Sequence, residues 1–156
     1  GVDPGERPRL ESSMETVGTL IADRSFLVFA RFATMAFFAI VFLQSAFDKV
    51  TDQEGNQAYF RDVFKAAPTL QSLTGPLFWG LTLLELGAGV FCALGLITFS
   101  FVSGGFFASW GLRFATLALL ALIFGQRMAK DYGGAAVVAA YMAVALLGNL
   151  AFAIGK

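Results

Sequence analysis

Hydrophobic and polar positions fall into long blocks rather than alternating. From Leu77 to Phe124 only Glu85 and Arg113 carry charge, and Ala135 to Ile154 carries none. A membrane-crossing helix needs about 20 apolar residues, so the first of these runs is long enough for two crossings and the second for one. With the apolar block that follows Arg24, the pattern predicts four crossings, at roughly 26–47, 77–100, 104–125 and 134–154. Between the first two lies Ala58-Tyr-Phe-Arg-Asp-Val-Phe-Lys65, in which Tyr59, Phe60, Val63 and Phe64 share one helical face and Arg61, Asp62 and Lys65 the other. That segment is too short to span and predicts an amphipathic helix in the headgroup region, either a structural lid or a docking surface. Asp52 to Asn56 reads as a polar turn before it, and Pro68 as its end. The expected fold class is therefore an all-α integral membrane protein, a four-transmembrane-helix bundle with one short interfacial helix between crossings one and two.

Two of these blocks echo one another. A shift of 82 positions lays Arg31, Phe32, Ala33, Thr34, Ala36, Ala39, Phe42 and Gln44 on identical residues from Arg113 to Gln126. A shared Arg-Phe-Ala-Thr and a shared Gln at the same distance point to an internal duplication of a hairpin. The shift also lays Asp48 on Lys130 and Lys49 on Asp131, so the charge order is reversed between copies. If a pseudo-twofold axis along the membrane normal relates the hairpins, each Asp would face the other copy's Lys. The alternative is that all four are solvated or bind lipid headgroups.

Composition agrees with the pattern. Hydrophobic residues make up 57% of the 156 and charged ones 14%, with mean hydropathy +0.71, far from soluble averages. Eleven basic and eleven acidic residues cancel, so nothing favours nucleic acid as a partner. The chain has no His, which excludes His-ligated haem, His-containing zinc sites and a Ser-His-Asp triad. One cysteine, Cys92, allows no internal disulfide, iron–sulfur cluster or CxxC pair, and its apolar neighbours favour a small core filler over a reactive thiol. No Walker or dinucleotide-binding glycine motif appears in the sequence.

Residues 1–25 form a polar tail of mixed charge without signal-peptide features, and 26–156 the membrane domain. Ser12 and Glu15 fit a capping box ahead of Met14, Val17 and Ile21, so this tail is either a short interfacial helix or frayed. Glu85 is the one deeply placed acid and must be protonated, paired or wetted. Arg113 on the next helix could pair with it, but Cβ directions send the two side chains toward opposite surfaces. A water-filled pocket or separate partners are the alternatives. Gly87, Gly89 and Gly95 offer close backbone approach near Glu85, and Ala136, Ala139, Ala140 and Ala143 offer small faces on the last helix. Arg7, Arg9, Arg24, Lys156, Arg31 and Arg113 tilt the termini toward the inside.

Ser45-x-x-x-Lys49 after the first crossing, Glu85-Leu-Gly-x-Gly with Gly95 in the second, and Asp131-x-x-Gly-Ala135 opening the fourth resemble the DoxX/DoxD family over about residues 26–154. The resemblance implies a bacterial or archaeal cytoplasmic membrane protein. One branch, DoxD, is the small subunit of a thiosulfate:quinone oxidoreductase, and other members accompany redox or oxidative-stress proteins. The chain departs from the family in having Ala46 where a Gly often follows the Ser, and in lacking a fused domain that could hold thiosulfate. Membership of a redox complex therefore carries over more readily than the reaction itself.

Two function classes follow. The first is a membrane subunit of a respiratory or other quinone-linked complex, its partners being lipid and the other subunits. Its polar knots, Asp48 and Lys49 at one helix end and Gln126, Arg127, Lys130, Asp131 and Tyr132 at another, would dock those subunits. Gln126, Arg127, Tyr132 and Glu85 are the groups available to a quinone, the one cofactor expected, with no metal. The second class is a free-standing carrier or channel-like protein with Glu85 and Arg113 lining a polar route. A scaffold whose polar groups are all structural overlaps the first.

Overall fold

A computed structural model describes residues 7–22, 24–66, 71–98 and 105–154, and these are almost entirely helical. Among the described residues, four helices are long and apolar enough to cross a membrane. They are α2 (Arg24–Thr51), α4 (Thr74–Thr98), α5 (Gly105–Met128) and α6 (Tyr132–Ile154), with α1 (Arg7–Ala22) and α3 (Gln53–Val63) shorter and more polar. The end expected at Pro68 for the amphipathic helix lies outside the described residues.

Each crossing extends past its apolar block, because the flanking residues can still be helical and are often well capped. No glycine or proline interrupts Arg24 to Thr51, so α2 runs through the polar residues at both of its ends. At its far end Asp52 is the N-cap of α3, its carboxylate accepting from the Gly55 amide at 3.1 Å. The Asn56 amide donates to the carbonyls of Asp48 and Asp52. The segment expected as a turn is thus the first turn of α3, which begins five residues before Ala58. Pro76 sits in the first turn of α4, where its missing N–H costs nothing. The capping box expected at Ser12 is not formed. Ser12 lies inside α1, and its carbonyl accepts from the Thr16 hydroxyl at 2.8 Å.

The bundle is a ring in which α4 packs on α2 and α5, α5 on α6, and α6 against α2. Small residues set the spacing. A Cβ on Gly111 would lie 2.7 Å from the Cys92 nitrogen, and one on Gly89 would lie 2.9 Å from the Leu43 nitrogen. Gly95 meets Ala108 in the same way at 3.1 Å, whereas Gly87 only touches the Phe114 ring. Cys92 is fully buried in the α4–α5 seam, as a core filler. The alanines proposed for close packing on α6 face outward. Ala135, Val138, Ala145, Gly148 and Ala151 are the buried ones instead, so the helix is rotated about one position from that expectation. Large apolar side chains such as Phe29, Phe47, Leu83, Ile97 and Leu147 point away from the bundle. Apolar surface outside with paired polar groups inside is the arrangement lipid demands.

The duplicated segments keep local chemistry but not surroundings. Thr34 and Thr116 both donate to the carbonyl four residues back, at 2.8 and 2.7 Å. Yet Met35, Phe38 and Phe42 are at most 1% exposed, while their counterparts Leu117, Leu120 and Phe124 are 50–58% exposed. The cause is the α4–α5 seam. Its close approach requires α5 to turn Gly111, Ala115 and Ala118 inward, which carries the larger residues outward.

Candidate functional site

Glu85, the least exposed charged side chain among the described residues, is held from α2. Lys49 Nζ stands 2.6 Å from Glu85 Oε2, with the two side chains 10% and 1% exposed. Ser45, one turn before Lys49, closes the set. Its hydroxyl accepts from Lys49 Nζ at 2.7 Å and donates to Glu85 Oε2 at 3.2 Å. Geometry explains why Lys49 reaches an acid eleven residues inside α4. Helical Cβ atoms tilt toward the helix N-terminus. On antiparallel neighbours, Lys49 near the end of α2 therefore leans inward and Glu85 leans outward, and the two converge. The same rule makes Glu85 and Arg113 diverge. Arg113 is exposed and its guanidinium lies 5.0 Å from the Trp110 ring centre, so the Glu85–Arg113 ion pair is not formed. Arg31, its sequence counterpart, turns inward and donates to the Ala151 carbonyl at 3.0 and 3.1 Å.

Reversed charges across the hairpins do not pair either. Among the described residues, neither Asp48 with Lys130 nor Lys49 with Asp131 forms an ion pair. Lys49 is taken by Glu85, and Asp48 is exposed at the α2–α3 junction. Asp131 is the N-cap of α6, accepting from the Gly134 amide at 2.9 Å. Lys130 serves through its backbone. It sits at φ 63°, with its N–H on the Arg127 carbonyl and the Asp131 N–H on that of Gln126, the two bonds of a Schellman motif. A side chain in this left-handed conformation is strained. Lys130→Gly is accordingly expected to raise stability by about 0.5–1 kcal/mol in thermal unfolding. A loss would instead mean that the ammonium group has a partner.

On the same side of the bundle, α3 lies over the groove between α4 and α5. Phe60 packs edge-on against Phe78 with ring centres 5.7 Å apart, and Phe64 is buried. Arg61, Asp62 and Lys65 face outward as expected, with Lys65 bound to Asp62. Beneath α3 remains a pocket of about 180 Å³, walled by Tyr59, Phe60 and Phe64, by Leu77 and Leu81, and by α5 from Ala121 to Gln126. Leu81 lies one turn before Glu85, so one helix serves both features. Gln126 and Asp131 are the polar residues at the far wall. The Gln126 Oε1 is shielded from solvent and has no hydrogen-bond partner. Its Nε2 lies toward Gly134, where an added Cβ would come within 2.7 Å of it and would collide with the Asp131 carboxylate. Arg127 and Tyr132 are apart from this wall, stacked on each other at 4.9 Å and exposed.

Of the residues singled out from sequence, the fold thus brings Lys49 to Glu85 and Gln126 to Asp131. Arg113, Arg127, Tyr132, Lys130 and Asp48 stand elsewhere. Ser45 and the pocket wall of Tyr59, Phe64, Leu77 and Leu81 were not among the candidates. One signal for the first set was available: Lys49 continues the inward stripe of Met35, Phe38, Phe42 and Ala46, so a charge there must be buried. Nothing in the sequence marks the pocket, which needs the tilt of α3. Among the described residues no group of three His, Cys, Asp or Glu side chains could hold a metal ion. Comparison of the chain with family models, curated proteins and solved structures found no match.

Proposed function

We propose that the protein is a small membrane subunit of a quinone-linked redox complex and lends the pocket beneath α3 to a quinone site. It would lie in a bacterial cytoplasmic membrane with its termini inside. The observation that supports this is the pocket itself: largely apolar walls, with the side chains of Gln126 and Asp131 at one end. A lipid-soluble ring carrier requires an apolar slot and a few placed polar groups. The chain supplies both, and α3 gives the slot a cover whose polar face, with Arg61, Asp62 and Lys65, is turned outward where a second subunit can reach it. Lys49, Ser45 and Glu85 then have a supporting role, locking α2 to α4 so that the α4 wall of the slot is rigid.

The test is purification from membranes in mild detergent, photolabelling with an azido-quinone analogue, and mass spectrometry of the products. Co-purifying oxidoreductase subunits, with label on peptides spanning 59–64 or 121–126 and competition by unlabelled quinone, are expected. A clean homo-oligomer with no competed label would overturn the proposal and leave a carrier or scaffold role.

A further inference from the structure

The outer face of α5 carries a cation that the protein does not answer. Phe106, Trp110, Arg113, Leu117 and Leu120 recur every three or four residues and are all exposed, so they form one stripe on the side of the helix that lipid covers. Within that stripe Arg113 lies about 12 Å from the start of α5. Charged groups in a crossing ordinarily turn inward or find a partner. Arg31, its counterpart in the repeat, does so: it donates to the Ala151 carbonyl and lies 5.2 Å from the Phe152 ring centre. The close approach at Gly111 rotates α5 and carries Arg113 outward instead. Its guanidinium rests 5.0 Å from the Trp110 ring centre, a contact with the ring face that leaves its N–H groups free. Among the described residues Arg113 forms no ion pair and donates no hydrogen bond.

We propose that Arg113 and Trp110 hold an anionic phospholipid, its phosphate on the guanidinium and an acyl chain along Leu117 and Leu120. Helical Cβ atoms tilt toward the helix N-terminus, which sends the Arg113 side chain back to the level of Trp110. Indole rings favour the headgroup level of a bilayer, so the guanidinium stands where lipid phosphates lie. Its planar fork of donors matches two phosphate oxygens. A zwitterionic headgroup brings its own ammonium and leaves the site with one positive charge, whereas an anionic headgroup cancels it. A free phosphate would fill the fork but gain nothing from the leucines below. The site lies toward the opposite end of α5 from the pocket wall at Ala121 to Gln126, and it does not depend on the quinone reading.

The experiment uses the full chain with Trp79→Phe, which leaves Trp110 as its one tryptophan. The protein is placed in phosphatidylcholine vesicles that contain increasing fractions of phosphatidylglycerol or phosphatidylcholine brominated near the top of the acyl chains, since bromine quenches an indole on contact. Brominated phosphatidylglycerol is expected to compete for the Trp110 site about fivefold better than brominated phosphatidylcholine. That preference should vanish in Arg113→Gln and largely survive in Arg113→Lys, which keeps the charge. Exchanging chloride for inorganic phosphate at constant ionic strength should leave it unchanged. Equal quenching by the two lipids while Arg113 is present overturns the proposal, whether or not Arg113→Gln folds. A preference that persists in Arg113→Gln overturns the assignment to this residue, and one abolished by inorganic phosphate assigns the site to a soluble anion instead. If Arg113→Gln strips a co-purifying protein from membranes and the isolated chain shows no lipid preference, the face belongs to a partner helix and the proposal falls.

Discussion

Lys49→Met is expected to destabilise the purified protein by about 3–5 kcal/mol, read from unfolding in mild detergent. The substitution keeps the length of the stem and its packing but leaves Glu85, 1% exposed, without its counter-charge. Glu85→Leu should cost less. Lys49 is two residues from the end of α2 and its flexible stem can swing the ammonium to the surface, whereas Glu85 is anchored about 16 Å inside α4 and has no such exit. The double variant Lys49→Met/Glu85→Leu should recover most of the loss, because replacing both members of a buried pair by apolar groups is near neutral. The order Lys49→Met worse than Glu85→Leu, with the pair together milder than Lys49→Met alone, is specific to a buried pair with one escapable member. A Lys49→Met cost below about 1 kcal/mol would place the pair in the class of exposed ion pairs.

Gly111→Ala should produce the second large loss, about 2–3 kcal/mol, the upper part of the range for overpacking a close-packed site. The added methyl would meet the Cys92 nitrogen and sulfur at 2.7 Å and the Phe91 carbonyl carbon at 3.0 Å, and backbone atoms cannot step aside as a side chain tip can. The helices α4 and α5 would have to separate along the seam that also sets the rotation of α5. Gly80→Ala is the matched control, since nothing lies within 4 Å of its Cβ position, and it should be neutral or slightly stabilising. If both variants melt together with the unaltered protein, the α4–α5 approach is looser than the geometry states.

The number of crossings was legible because it depends on quantities local to the chain. Apolar runs of 20 or more residues, broken by few charges, have no other stable solution in lipid. The amphipathic segment before Pro68 was legible for the same reason, as the period of Tyr59, Phe60, Val63 and Phe64 needs no knowledge of the rest. Boundaries were less so. Whether Asp52 to Asn56 is a turn or a first helical turn depends on one carboxylate reaching the Gly55 amide, a choice that spacing leaves open.

The polar groups were a different matter. Glu85 had to be protonated, paired or wetted, and Arg113 was the cation the sequence suggested for it, although Lys49 was also within reach. Lys49 won over Arg113 through side-chain direction on antiparallel helices, which becomes decisive only once α4 is known to have α2 on one side and α5 on the other. The duplicated segments show the same limit from the opposite side. Phe42 and Phe124 are the same residue in the same motif, but one fills the core and the other faces outward. Each residue turns a helix face by about 100°, so a small rotation of α5, forced by Gly111 against Cys92, reassigns every side chain on it. Sequence by itself determined that there are four crossings, an interfacial helix and a deeply placed acid that must be protonated, paired or wetted, because burial energies are carried by local runs. Tertiary structure alone decided which cation answers that acid, which copy of the repeat faces inward and that a pocket lies beneath α3, because those depend on the order and rotation of helices packed too closely to turn.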